Sequence, residues 1–184
     1  SLLMRRPVAE PALARLPGLR LVQGGLEPQD FSNLLDGCDA LVHAAFSHVP
    51  GRYRGGEGDD ARGFWQLNLG ATIGLLEQAK AAGVKRVVLF SSRAVYGSHQ
   101  IGRLDEEALP EPDTHYGLQK LTIEGLARLY SRDPDIFAVG CLRPTGVYGT
   151  RLDPEASKWA GLARQVAEGR WPPANRPGSA LHGS

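Results

Sequence analysis

Three residues in two short stretches could do chemistry. Ser92 lies in VVLFSSRAVYG, residues 87–97, and Tyr116 and Lys120 lie in THYGLQK, residues 114–120. A tyrosine and a lysine four apart stand one above the other on one helix face. A phenol ionises near pH ~10 and is by itself a poor acid or base at neutral pH. An ammonium beside it favours the phenolate. A serine hydroxyl next to the pair can hold a substrate oxygen while the tyrosine gives or takes its proton. That set suits an alcohol or carbonyl oxygen whose adjacent carbon exchanges a hydride. The spacing alone is only suggestive, because five Tyr and four Lys in 184 residues yield about 0.1 such pair by chance. A structural pair on an exposed helix face is the other reading. The strand-end serine and the order of elements around it favour catalysis.

Those elements can be read from patterning. Val87 to Phe90 is a short apolar run rich in β-branched residues, which reads as a buried strand. Ser92 then stands at its carboxyl end, where open α/β sheets bind ligands. SLLMRR at residues 1–6, LRLVQGGL at 19–26, CDALVHAAF at 38–46 and a run within 135–149 read as further strands. Residues 28–37 read as a short helix stopped by Gly37. A long helix capped by Asp59 or Asp60 runs to about Ala82, with Gly83 just past its end. Phe64, Leu67, Ile73 and Leu76 are expected to face the core, and Gly70 and Gly74 to allow close packing. Thr114 can cap a helix extending to about Ser131, and 154–170 reads as amphipathic, with Trp159, Leu162 and Val166 on one face. Alternating strands and helices predict an α/β, doubly wound parallel sheet.

Between these elements lie two polar loops. Residues 47–63 are rich in glycine and charge, and Arg52 and Arg54 either sit in solvent or meet an anionic substrate group. Residues 98–113 contain Asp105, Glu106 and Glu107, which read as a solvated face. His43 reads as a core histidine, with no carboxylate or second histidine at metal-ligand spacing.

A chain of 184 residues is long enough to bury a real core. A net charge of +1 gives no electrostatic reason to expect nucleic acid or an anionic membrane. No apolar run approaches membrane-spanning length. Cys38 and Cys141 have neither disulfide-framework nor metal-site spacing and read as small buried residues in a reducing cytoplasm.

DALVHAAF (39–46), NLGATIGLLEQAKAAGVKRVVLFSSRAVYG (68–97), YGLQK (116–120) and LRPTGVYG (142–149) together resemble the extended short-chain dehydrogenases/reductases, the NAD(P)-dependent epimerase/dehydratase family. The resemblance implies a Rossmann-like nucleotide-binding domain over residues 1–150 and the start of a substrate domain over 151–184. The family's first strand, glycine-rich turn and first helix are expected to precede Ser1, and most of its substrate domain to follow Ser184. By resemblance Tyr116 is the general acid/base, Lys120 its partner and a hold on the nicotinamide ribose, and Ser92 the substrate-oxygen ligand. Asn68 matches the asparagine that orders a water beside the lysine. Leu26, Ala44, Ala45, Phe46, Ser91, Pro144, Thr145 and Val147 match cofactor-lining positions. Arg5 and Arg6 stand where NAD-preferring relatives carry an acidic residue, so NADP is slightly favoured over NAD; a solvated strand end is the alternative. A homodimer through the two long helices is implied by analogy.

Several positions depart from the family pattern. Gly25 replaces the aspartate that bonds adenine, and Gln119 replaces a Ser or Thr. Arg93 and Ala94 follow the serine where sugar 4,6-dehydratases carry Asp-Glu, which argues against that elimination. Gly146 replaces an asparagine that grips the sugar diphosphate. RGGEG at 54–58 has neither the spacing nor the strand-turn-helix context of a phosphate-binding turn. The expected activity is that of an NAD(P)-dependent oxidoreductase or epimerase on a sugar-like or small carbonyl substrate. A non-catalytic, nucleotide-sensing protein on the same fold is the alternative.

Overall fold

The structure is a computed structural model and describes residues 2–4, 17–27, 29–49, 52, 54–98, 104–146, 164–165 and 167–169. The chain divides into two compact units, Ser1–Thr145 and Gly146–Ser184. Arg5, Arg6, Val147 and most of the expected helix at 154–170 lie outside the described residues; Arg164, Gln165 and Ala167 are helical.

In the first unit every strand pairing is parallel. β1 (Leu2–Met4) pairs with β2 (Leu21–Gln23), Leu3 opposite Val22. β3 (Ala40–His43), β4 (Arg86–Phe90) and β5 (Ala138–Leu142) form a second sheet in that order, with Val42, Val88 and Gly140 in line. Parallel neighbours need long crossovers. Those crossovers contain α2 (Ala61–Ala81) between β3 and β4, and α3 (His115–Tyr130) between β4 and β5. The expected helix at 28–37 shrinks to the single turn α1 (Ser32–Leu35), closed by Gly37 at φ 66°.

Strand alternation decides which face is packed. Leu41, Val87, Leu89, Val139 and Cys141 join Leu76, Ala79, Ile123, Ala127 and Phe137 in one apolar cluster. On the other face Val42 is 63% and Leu142 51% exposed.

Both long helices start as their caps predict. Asp60 accepts from the Gly63 amide at 2.8 Å and Thr114 from the Gly117 amide at 3.0 Å. The inward stripe of α2 differs from the expected one. It is Phe64, Asn68, Thr72, Leu76 and Ala79, with two polar residues in its middle. Leu67 is half-buried, and Ile73 faces out at 36% exposure because nine residues past Phe64 is about half a turn away. Gly70 and Gly74 make no close packing: a Cβ at either meets nothing within 4 Å.

Two other glycines are required by contact. A Cβ on Gly117 would stand 2.4 Å from the Ala94 carbonyl oxygen, so its absence lets α3 lie against the 3-10 turn Arg93–Tyr96. Gly97 closes that turn at φ 70°, and a Cβ there would stand 2.2 Å from the Glu111 carbonyl oxygen. Gly97→Ala therefore combines left-handed strain with a backbone clash. We expect it to lower unfolding free energy by about 1–3 kcal/mol, read by urea denaturation against a Gly70→Ala control, which should not destabilise.

Candidate active site

The site forms where β3 and β4 end. Past Phe90 the chain stays extended alongside the end of β5 and the segment that follows it. The Ser91 amide donates to the Leu142 carbonyl at 2.7 Å and the Arg93 amide to the Pro144 carbonyl at 3.2 Å. Ser92 sits between these two rungs as the cap of the 3-10 turn. Its Oγ accepts from the Ala94 amide at 3.1 Å, which leaves the hydroxyl proton free to be donated. The turn packs on Gly117, one residue from Tyr116, so the serine and the tyrosine are held on neighbouring elements.

Lys120 is 4% exposed. Its Nζ donates to the Phe90 carbonyl at 2.6 Å and lies 3.9 Å from the centroid of the Phe46 ring and 5.7 Å from that of Tyr116. Burial disfavours the charged amine and pushes it down to about 8. His43 on β3 is pushed down to about 4, first by burial and then by the Lys120 charge, so it is neutral at pH 7. Its Nε2 faces the Thr72 hydroxyl at 3.4 Å, consistent with a packed histidine rather than a base. Cys141 on β5 is pushed up to about 11, chiefly by burial and then by Glu124, and is therefore a neutral thiol beside the lysine.

Phe46 contacts both Tyr116 and Lys120, and the 3-10 turn that Ser92 caps packs on Gly117 next to Tyr116; Ser91 is buried. Ala44 and Ala45 follow β3 and are exposed. Pro144 is half-buried beside Arg93, Thr145 is exposed, and Leu26 is half-buried just past β2. Asn68 is 2% exposed and its amide is heavily used. Oδ1 accepts from the Ser47 amide at 2.7 Å, while Nδ2 donates to the Ser47 carbonyl at 2.9 Å and to that of Phe64 at 3.0 Å. Both its donors are spent, so it clamps the loop after β3 to α2, and only an Oδ1 lone pair remains for a water. Arg54 is engaged as well: it pairs with Asp113 at 2.5 Å and donates to the Ser98 hydroxyl at 3.1 Å, tying the two polar loops together. Gln119 is fully buried, and its Nε2 reaches the Trp65 carbonyl at 3.1 Å, a span that a serine or threonine would not cover.

Sequence reasoning missed the ionic network behind the site. Arg143 grips Glu124 with a fork, Nε to Oε1 at 2.8 Å and Nη2 to Oε2 at 2.6 Å. Ser91 Oγ donates to the same carboxylate at 2.5 Å. Arg143 Nη1 donates to the Tyr96 hydroxyl at 2.7 Å, and that hydroxyl donates to the Asp105 carbonyl at 2.7 Å. The Asp105 backbone carbonyl thus anchors its loop, while Asp105, Glu106 and Glu107 themselves are exposed, as the sequence suggested. Burial raises the Glu124 carboxyl, but the Arg143 and Ser91 hydrogen bonds and the Arg143 charge more than offset this and hold it below the usual carboxylate range. A signal was present: Tyr116, Lys120 and Glu124 are successive fours on one helix face. Glu124→Ala leaves Arg143 half-buried without its carboxylate. We expect it to cost about 3–5 kcal/mol, measured as a fall in unfolding free energy, with Thr122→Ala on the outer part of the same helix nearly neutral.

The family model described as "NAD dependent epimerase/dehydratase family" matches residues 2–181. The UDP-glucose 4-epimerase of Streptomyces lividans is 32% identical over 163 residues, which are 83% of this chain and 48% of that protein. MoeE5, solved in complex with UDP-glucuronic acid and NAD, superposes with a TM-score of 0.71 at 32% identity, over 89% of this chain and 51% of that one. The UDP-glucuronic acid 4-epimerase of Bacillus cereus, solved with UDP-glucuronic acid and NAD, superposes with a TM-score of 0.68 at 29% identity, over 85% and 48%. The chain thus spans about half the length of these relatives.

Proposed function

The chain belongs to the NAD-dependent epimerase/dehydratase family, and from that premise we propose that Ser92, Tyr116 and Lys120 are the reacting groups of an NAD(P)-dependent oxidoreductase or epimerase. Its substrate is a sugar-like molecule, with reaction at a hydroxyl or carbonyl carbon. The observation that carries this reading is the placement of the Tyr116 ring and the Lys120 amine against Phe46, beside the turn that Ser92 caps.

Ser92 donates its free proton to the substrate oxygen and fixes its direction. Tyr116 takes the proton from a hydroxyl being oxidised and returns it to a carbonyl being reduced. Lys120, with its amine near 8, is mostly protonated at pH 7, and its Nζ lies 5.7 Å from the centroid of the Tyr116 ring. A bound nicotinamide supplies the hydride acceptor. The nicotinamide end of a dinucleotide fits these residues. Exposed Ala44 and Ala45 leave the backbone at the end of β3 open to a ribose, and Lys120 has donors beyond the one given to Phe90. Among the described residues no glycine-rich turn receives the pyrophosphate. Residues 1–150 then form the nucleotide-binding part and 151–184 begin the substrate part. The relatives' names point to UDP-sugars as the first substrates to try, although Gly146 lacks the family's diphosphate-gripping amide. Arg93 and Ala94 speak against a 4,6-dehydratase. A homodimer through α2 and α3 would cover Ile73, Leu118 and Leu129, which are 36%, 46% and 51% exposed.

Tyr116→Phe is expected to lower kcat by at least about a hundredfold with melting midpoint and nucleotide affinity unchanged; turnover near that of the parent removes the assignment. The cofactor choice has two supports that oppose each other: NAD in the solved relatives, and Arg5 and Arg6 for a 2′-phosphate. If the arginines decide, NADP binds more tightly than NAD by calorimetry, and Arg5→Glu with Arg6→Glu reverses the order.

A further inference from the structure

Phe46 stands against both halves of the reacting pair. Its ring face lies under the Lys120 amine, 3.9 Å from Nζ to centroid. The Tyr116 ring meets it at 5.2 Å and 87°, and the Phe64 ring backs it at 5.7 Å and 73°. Among the described residues no carboxylate pairs with Lys120; its polar partner is the Phe90 carbonyl. A buried ammonium with a single carbonyl partner is poorly compensated. An aromatic face offers the negative side of its quadrupole to such a cation. We propose that Phe46 is a positioning residue, whose ring face holds the Lys120 ammonium and keeps it charged while its packing fixes the Tyr116 ring. This rests on the reading of Tyr116 and Lys120 as the reacting groups.

The titratable groups around the amine come from several elements. His43 on β3 is neutral above about pH 4, while the Cys141 sulfur on β5, itself pushed up to about 11, acts to raise the amine against the effect of burial. On α3 the neighbours are Tyr116 and Glu124, the latter bound to Arg143. His48, in the loop after β3, has its ring 6.1 Å from that of Tyr116. No titratable side chain of α2 enters the balance at the amine. Burial pushes the amine down, and the Phe46 ring opposes that push. Removing the ring should therefore let the amine fall further, and the charge beside Tyr116 should be lost at a lower pH.

The test titrates Lys120 itself in the full chain, by carbon-13 NMR of lysines labelled at Cε. The chain has four lysines, and the Lys120 signal is identified by its loss in Lys120→Arg. The parent is expected to titrate at about 8. Phe46→Leu and Phe46→Met, which keep apolar volume without a ring, should titrate about 0.5–1 pH unit lower. Phe46→Tyr, which keeps the ring, should stay at the parent midpoint. The high-pH limb of kcat should move with the Lys120 midpoint in each variant. A Lys120 midpoint that stays at the parent value in the folded ringless variants, or that falls equally in Phe46→Tyr, overturns the proposal. Failure of the functional reading is separately visible, because it appears as retained turnover in Tyr116→Phe while the Lys120 titration still reports on the ring.

Discussion

The structure depends on keeping one ammonium out of water and still charged. A lysine buried to 4% exposure loses most of its hydration, and the loss moves its amine from the ordinary range to about 8. That value is a compromise. An exposed lysine would be charged throughout the physiological range but would give its field to water rather than to the phenol. A lysine buried without any partner would be neutral and of no use to it. In this site the amine donates to the Phe90 carbonyl and lies over the Phe46 face. Strand β4 supplies the first and the loop after β3 supplies the second, so the parallel pairing of β3 with β4 brings them to one place.

Behind that ammonium the fold places a second charge arrangement with the opposite character. Glu124 lies one helical turn past Lys120, yet its carboxylate is turned to Arg143 and Ser91. Were it to pair with Lys120 instead, the amine would be locked as a spectator ion pair and its influence on the phenol reduced. The guanidinium fork keeps the carboxylate occupied. The same fork joins α3 to the chain beyond β5, and through Tyr96 to the loop at Asp105. Segments far apart in sequence, around residues 91, 105, 124 and 143, are thereby fixed relative to the serine that caps the 3-10 turn.

Much of this was legible in the sequence, because it rests on local rules. β-branched runs gave the strands, Asp60 (one of two candidates) and Thr114 gave the helix starts, and a spacing of four put Tyr116 and Lys120 on one helix face. What was not legible depends on long-range packing. Asn68 matched a water-ordering position by resemblance, while its clamp on the Ser47 backbone depends on how the loop after β3 folds back. Ile73 fits an apolar pattern counted by threes and fours but falls on the wrong side once the stripe is drawn from Phe64. Arg54 and Asp113 are 59 residues apart, and no local pattern announces their pairing. Phe46 matched a cofactor-lining position by resemblance, while its contacts with the lysine and tyrosine needed coordinates.

The neutral neighbours of the amine are as informative as the charged ones. His43 and Cys141 both stand within electrostatic reach of Lys120, and either could disturb it by taking on charge. Burial acts on the two in opposite directions, lowering the histidine and raising the thiol, and the outcome for each is the uncharged form. Across the span between about 4 and about 11 neither His43 nor Cys141 adds an ion of its own, and the charged pair nearby, Glu124 with Arg143, is closed on itself. Burial thus acts on all three groups at once: it lowers the amine and the imidazole and raises the thiol.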